Sequence, residues 1–189
     1  MGMPDSPSRP PGRPRSDVSR AALLDAAYWQ VNERGYAAVT ADAIAKAAGA
    51  GKQTLYRWWP SKARLVLEAF ATKARERIDR PREAALRAGD IEKFLIADFA
   101  ALRAFADALR GLFNEATGDA ELLAALRTEF FAPRSAALRS VLERAMPAEA
   151  PRETWVEALE GAIFRRLMLG EPLDEAFARR LAGLLKGRT

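Results

Sequence analysis

Between a bend holding Gly49 and Gly51 and a proline at position 60 lies the run Lys52-Gln53-Thr54-Leu55-Tyr56-Arg57-Trp58-Trp59. Leu55 and Trp59 are four apart, so on a helix they share one face and pack inward. Lys52, Gln53, Tyr56 and Arg57 then point elsewhere. Their face carries donors, an aromatic ring and positive charge, and no acid of its own. Gln and Lys can read base edges in a major groove, and Arg or Lys can pair with phosphate or guanine. The competing reading is a solvated face on a small helical subdomain.

The elements that must position this run are legible around it. Ala22, Leu23, Ala26, Ala27 and Val31 recur at helical spacing, which predicts a first helix from about Ser16 to Arg34. Gly35 stops it, and Tyr36 is placed for the hydrophobic contact that follows such a stop. Thr40 can cap the amides of a second helix, ADAIAKA, and Asp42 in its first turn suits the helix dipole. Pro60 ends the third helix, and Ser61 caps a fourth that runs to about Asp79. Two short helices joined by a tight glycine-containing turn make a helix-turn-helix. Ahead of them, residues 1–15 are rich in proline and read as a flexible basic arm. Arg9, Arg13 and Arg15 of that arm suit a narrow minor groove.

Composition excludes several other chemistries. The 189 residues contain neither cysteine nor histidine, so disulfides, thiolate zinc sites and imidazole bases are ruled out. Residues 1–80 carry 14 Lys/Arg against 8 Asp/Glu, whereas residues 81–189 carry 16 against 17. All of the excess positive charge therefore sits in the first part, as expected of a polyanion-facing module on a near-neutral body. Glu153, Glu157 and Glu160 offer carboxylate pairs to a small helical enzyme, but their spacing is that of a solvated helix face. Apolar stretches fall short of the roughly 18 residues of a membrane span. The expectation is a cytoplasmic protein without a cofactor.

Beyond Pro81 the pattern stays helical. A Pro-Arg-Glu start and Gly89-Asp90 mark a linker, Gly118-Asp119 opens a further helix, and Pro133 predicts a kink. Residues 152–169 and 173–186 read as the last two helices. Val156, Leu159, Ile163 and Leu167 form one stripe there, and Leu181, Leu184 and Leu185 another. These stripes could pair two copies or close the chain's own core. Phe94, Phe99, Phe105, Phe113, Phe130, Trp155 and Phe164 are candidates to line a ligand cavity, with Asp98, Arg103, Asn114 and Arg165 as polar anchors if buried.

The run from Gly35-Tyr36 through Thr40, followed by IAKAAGAGKQTLYRWWPSKARL, closely resembles the DNA-binding domain of the tetracycline-repressor (TetR) family of bacterial regulators. The resemblance implies an all-α fold of about nine helices: a DNA-binding domain over 16–62, a connecting helix over 63–80, and a ligand-binding and dimerisation domain over 81–189. It implies a homodimer that reads a palindromic operator in double-stranded DNA and is released by a small-molecule effector. Thr40 matches the family's phosphate-contacting cap, and Lys52, Gln53 and Tyr56 match recognition-helix positions. Trp58 sits where the family has a histidine or tyrosine near phosphate, and Lys62 matches a lysine that meets backbone phosphate. Thr54 and Arg57 join this set of DNA-binding candidates. Two departures stand out: Gly51 replaces a frequent serine, and Gln53 replaces a frequent glycine and can read adenine edges. A constitutive DNA-binding protein without an effector is the alternative in the same class.

Overall fold

The structure is a computed structural model and describes residues 15–186. Among the described residues it is all-helical, as expected. The N-terminal unit comprises α1 (Arg15–Arg34), α2 (Ala41–Ala47), α3 (Lys52–Trp58) and the start of α4 (Lys62–Ala88). The remainder comprises α5 (Ile91–Ala116), α6 (Ala120–Ala125), a π turn (Leu126–Phe131), α7 (Ala132–Ala145), α8 (Arg152–Leu169) and α9 (Glu175–Lys186). Arg9 and Arg13 lie outside the described residues, as does the side chain of Arg15, whose backbone opens α1 one residue earlier than expected.

Caps fix the helix starts. The Thr40 hydroxyl accepts from the Ala43 amide at 3.2 Å, and that of Ser61 accepts from the Arg64 amide at 3.2 Å. Asp90 and Asp119 do the same for α5 and α6. Each satisfies an amide that the helix itself cannot, an effect of about 1 kcal/mol.

One proline expectation needs correction. Pro81 does not begin a linker: α4 continues through it to Ala88 and ends at Gly89. One lost rung is tolerated because the helix is held beyond it, with Ala85 buried and Leu86 packed on the core. At Pro133 the helix is distorted rather than ended: just ahead of it the chain widens into the π turn, where the Ala132 amide reaches back to the Arg127 carbonyl, so the missing donor and the ring are accommodated.

The core is organised around α5. Leu95, Phe99, Leu102, Phe105, Leu109 and Leu112 on its inner faces are all buried. Phe99 stacks on Phe177 of α9, while Phe105 meets Phe70 of α4 edge-on at 5.1 Å. Phe70 in turn meets Tyr28 of α1 at 5.1 Å. One aromatic chain thus ties the N-terminal unit to α5.

The apolar stripes of the last two helices close this core. Val156, Leu159, Ile163, Leu167, Leu181 and Leu185 are at most 6% exposed within a single chain, buried against its own helices. Leu184, at 59% exposed, is the exception. Periodicity locates an apolar face but does not say what covers it, and here α5 and α7 cover it.

Candidate nucleic-acid interface

Ala41, Ile44 and Ala45 of α2 are buried, as are Leu55 and Trp59 at the far side of the turn. Gly49 adopts φ +63°, a left-handed conformation that lets the chain reverse between α2 and α3. Gly51 then caps α3 with backbone alone, without the hydroxyl bond a serine would supply. With Leu55 and Trp59 seated, Lys52, Gln53, Tyr56, Arg57 and Trp58 are exposed, and Thr54 is half-buried. Tyr56 and Trp58 leave 45% and 38% of their surfaces in solvent, so neither ring belongs to the core. The structure therefore gathers these candidates on one surface, beside the capping Thr40.

Two residues that the sequence did not single out hold α3 in place. Trp59 Nε1 donates to Glu68 Oε2 at 2.7 Å, and the other oxygen of Glu68 pairs with Arg20 of α1. The Arg20 guanidinium also lies over the rings of Trp58 and Trp59. Helix α3 is thus clamped between α1 and α4. No local pattern reveals this, because Arg20 and Glu68 are 48 positions apart.

The recognition face also has an acidic neighbour from outside α3. Asp42 of α2 pairs with Lys52 Nζ at 3.0 Å. That hydrogen bond raises the Lys52 pKa, and it places one carboxylate beside the exposed face of α3. Asp42→Asn is expected to strengthen binding to any duplex and to steepen the log affinity–log salt slope by about one unit. Fluorescence anisotropy across a salt series checks this; an unchanged slope would show that Lys52 meets no phosphate.

Lys62 has partners within the chain. Its Nζ donates to the Tyr36 carbonyl at 3.1 Å, lies 3.9 Å from the centre of the Tyr36 ring and sits 3.7 Å from Glu115 of α5. The amide of Tyr36 donates to Asp107 Oδ2 at 2.6 Å. Burial, and secondly the Glu115 carboxylate, push the Tyr36 hydroxyl pKa up, so it stays neutral. Lys62 therefore joins α4, the α1–α2 loop and α5. An ammonium four carbons from the backbone can reach either way, and only packing decides.

Comparison with known proteins agrees with this architecture. The model for bacterial regulatory proteins of the tetR family matches residues 23–69, and that for the tetracyclin repressor-like C-terminal domain matches residues 88–185. The chain belongs to the TetR family. The DNA-binding transcriptional repressor TetR of Mycobacteroides abscessus is 30% identical to this TetR-family chain over 180 residues, covering 88% of it and 91% of that repressor. The HTH-type transcriptional regulator YdeS of Bacillus subtilis is 29% identical over 182 residues, covering 90% and 89%. Among solved structures, the TetR family transcription regulator SCO0332 superposes with a TM-score of 0.71 at 29% identity, covering 90% and 98%. Thermus thermophilus FadR, solved with lauroyl-CoA, shares the fold with a TM-score of 0.63 at 19% identity, covering 88% and 92%. These relatives are regulators, not enzymes. Among the described residues no helix is long and apolar enough to cross a membrane.

In this TetR-family chain a cavity of about 250 Å³ opens between α4, α5, the π turn and α7. Of the seven aromatic candidates, Phe105 and Phe130 line it. Phe94 and Phe99 are sealed in the core, at 1% and 0% exposed. Phe113 and Phe164 instead line a more open cleft with Phe131, and Trp155 lines neither space. Of the polar candidates, Asp98 is buried on the cavity wall, paired with Arg134, which sequence reading missed. Arg103, Asn114 and Arg165 are exposed because their helix faces point to solvent. Arg103 donates to the Leu173 carbonyl, and Arg165 pairs with Glu171.

Proposed function

We propose that this TetR-family regulator acts in the cytoplasm as a homodimeric repressor, held on a palindromic operator by α3 and released by a small effector in the α4–α5–α7 cavity. The observation that carries the DNA half is the exposed row Lys52, Gln53, Tyr56, Arg57 and Trp58, backed by a fully buried Leu55. Such a row lies in a major groove, with the first residues of the helix nearest the bases. Gln53 holds such a position, and Lys52 ahead of it meets backbone phosphate. Tyr56, Arg57 and Trp58 flank the backbone, and Thr40 offers its hydroxyl to phosphate.

Two copies are required to read a two-fold site, with recognition helices about 34 Å apart. The faces that α8 and α9 turn away from the core suit that contact. On α8 the stripe Ala158, Ala162, Arg165 and Leu169 is small or apolar around one arginine, and Leu169 is 63% exposed. On α9, Gly183 and Leu184 are also exposed. These replace the buried leucines as the proposed partner surface.

The cavity supports an effector over constitutive binding, since a solid domain would have none. Its wall reaches the DNA-binding unit directly. Glu129 of the π turn accepts from Arg64 Nη2 at 2.8 Å, and Arg64 lies in the first turn of α4. A ligand that shifts the π turn or α5 therefore moves α4 and, through it, α3. Coupling of this kind is typically about 1–3 kcal/mol.

Selection of bound duplexes from a random pool, using the purified chain, tests the proposal. An inverted repeat is expected. Gln53→Ala is expected to relax preference at one base position per half-site, losing about 1–3 kcal/mol of discrimination there while binding to unrelated DNA is unchanged. No retained duplex even in dilute salt would overturn the reading.

A further inference from the structure

Among the described residues, four of the five charged side chains on the cavity wall have partners. Asp98 Oδ2 accepts from Arg134 Nε and Nη2 at 2.9 and 2.7 Å. Glu129 is paired with Arg64, and Glu83 lies 3.6 Å from Arg87. Arg82 is the fifth. Among the described residues it has no carboxylate partner, and its guanidinium lies 5.4 Å from the centre of the Phe94 ring. The wall between these charges is apolar, formed by Ala71, Ala74, Ala101, Leu102 and Phe105.

Among the described residues the charge left open to a ligand is therefore positive. One guanidinium presents a planar fork that matches one carboxylate. A doubly charged phosphate would leave a negative charge unmatched by the one open guanidinium among them. Size sets a second limit. An apolar cavity of about 150 Å³ holds benzene, so this one, at about 250 Å³, has room for about ten non-hydrogen atoms. Resting on the effector reading above, we propose that the cavity takes a small amphipathic carboxylic acid, its carboxylate on Arg82 and its apolar body between α4, α5 and α7.

Calorimetric titration of the full chain, free of DNA, with octanoate, 1-octanol and octylamine tests this. Octanoate is expected to bind about tenfold more tightly than octanol, because the carboxylate brings a charge and a second acceptor oxygen to the guanidinium fork and the alcohol brings neither. Octylamine is expected to bind most weakly. Arg82→Gln should erase the preference for the acid and leave octanol binding unchanged. Ala101→Trp, which fills the cavity, should abolish binding of all three with the helical circular dichroism retained; if that variant unfolds, Arg82→Gln decides alone. Equal binding of acid and alcohol, a preference for the amine, failure of all three to bind, acid binding that survives Ala101→Trp, or an Arg82→Gln variant that keeps its preference would each overturn the assignment. Operator release is measured separately. An acid-selective chain that stays on its operator at saturating octanoate keeps the site and refutes the effector reading; release by a different compound without acid preference does the reverse.

Discussion

Truncation of Arg134 to alanine is expected to cost about 3–5 kcal/mol of folding stability, because it strands a buried carboxylate. Arg134 and Asp98 are 7% and 2% exposed, and two guanidinium nitrogens converge on one Asp98 oxygen. The third nitrogen lies 3.6 Å from Glu160, so a second acid also loses its nearest cation. The double replacement Arg134→Met with Asp98→Leu should recover most of the loss, since it removes both desolvation costs together with the pair. Urea unfolding followed by circular dichroism measures both. A single-variant loss below about 1 kcal/mol would mean that the pair behaves as a solvated surface bridge. It would also weaken the pairing of the other charges on the cavity wall, on which the selectivity of Arg82 depends.

Gly111→Ala carries the second large effect, and its sign is opposite to that suggested by helix propensity. In a helix interior, alanine is ordinarily more stabilising than glycine by about 0.5–1 kcal/mol. Here an added Cβ would lie 2.1 Å from Tyr36 Cδ1 and 2.4 Å from its Cγ. The ring cannot yield easily. Tyr36 is 4% exposed, its amide is bonded to Asp107, and Lys62 covers its face. The substitution is therefore expected to cost about 1–3 kcal/mol. At about 2–4 °C per kcal/mol for a chain of this size, the melting temperature should fall by several degrees. Operator affinity should fall as well, because Tyr36 seats the loop that leads to Thr40 and α2. A melting temperature equal to or above that of the parent would show that α5 and the loop separate freely, and that the junction does not transmit strain.

These two sites also show where sequence reading stops. A spacing of four turns Leu55 and Trp59 inward, and both are buried, because a helix at the surface has only one face to hide. Thr40 and Ser61 were assigned as caps from their positions, and both accept the expected amide. Such features depend on neighbours within about four residues. Other features depend on more distant ones. Val156, Leu159, Ile163 and Leu167 have the spacing of an interface, but α5 and α7 already occupy that face. Lys62 sits at a phosphate-contacting position of the family pattern, but Tyr36 and Glu115 draw its ammonium inward. Asp98 was singled out as a polar residue in an apolar stripe; its partner Arg134 lies 36 positions away and announces itself by nothing local.

By itself the sequence determined the helical class, the helix-turn-helix, its inward pair and its outward row, because periodicity, caps and glycine stops are local and act before any distant contact forms. Only the tertiary structure decided which apolar faces meet, which charges pair across the cavity and which lysine turns inward, because those outcomes depend on which helices lie side by side. A chain written in order carries no direct record of that adjacency.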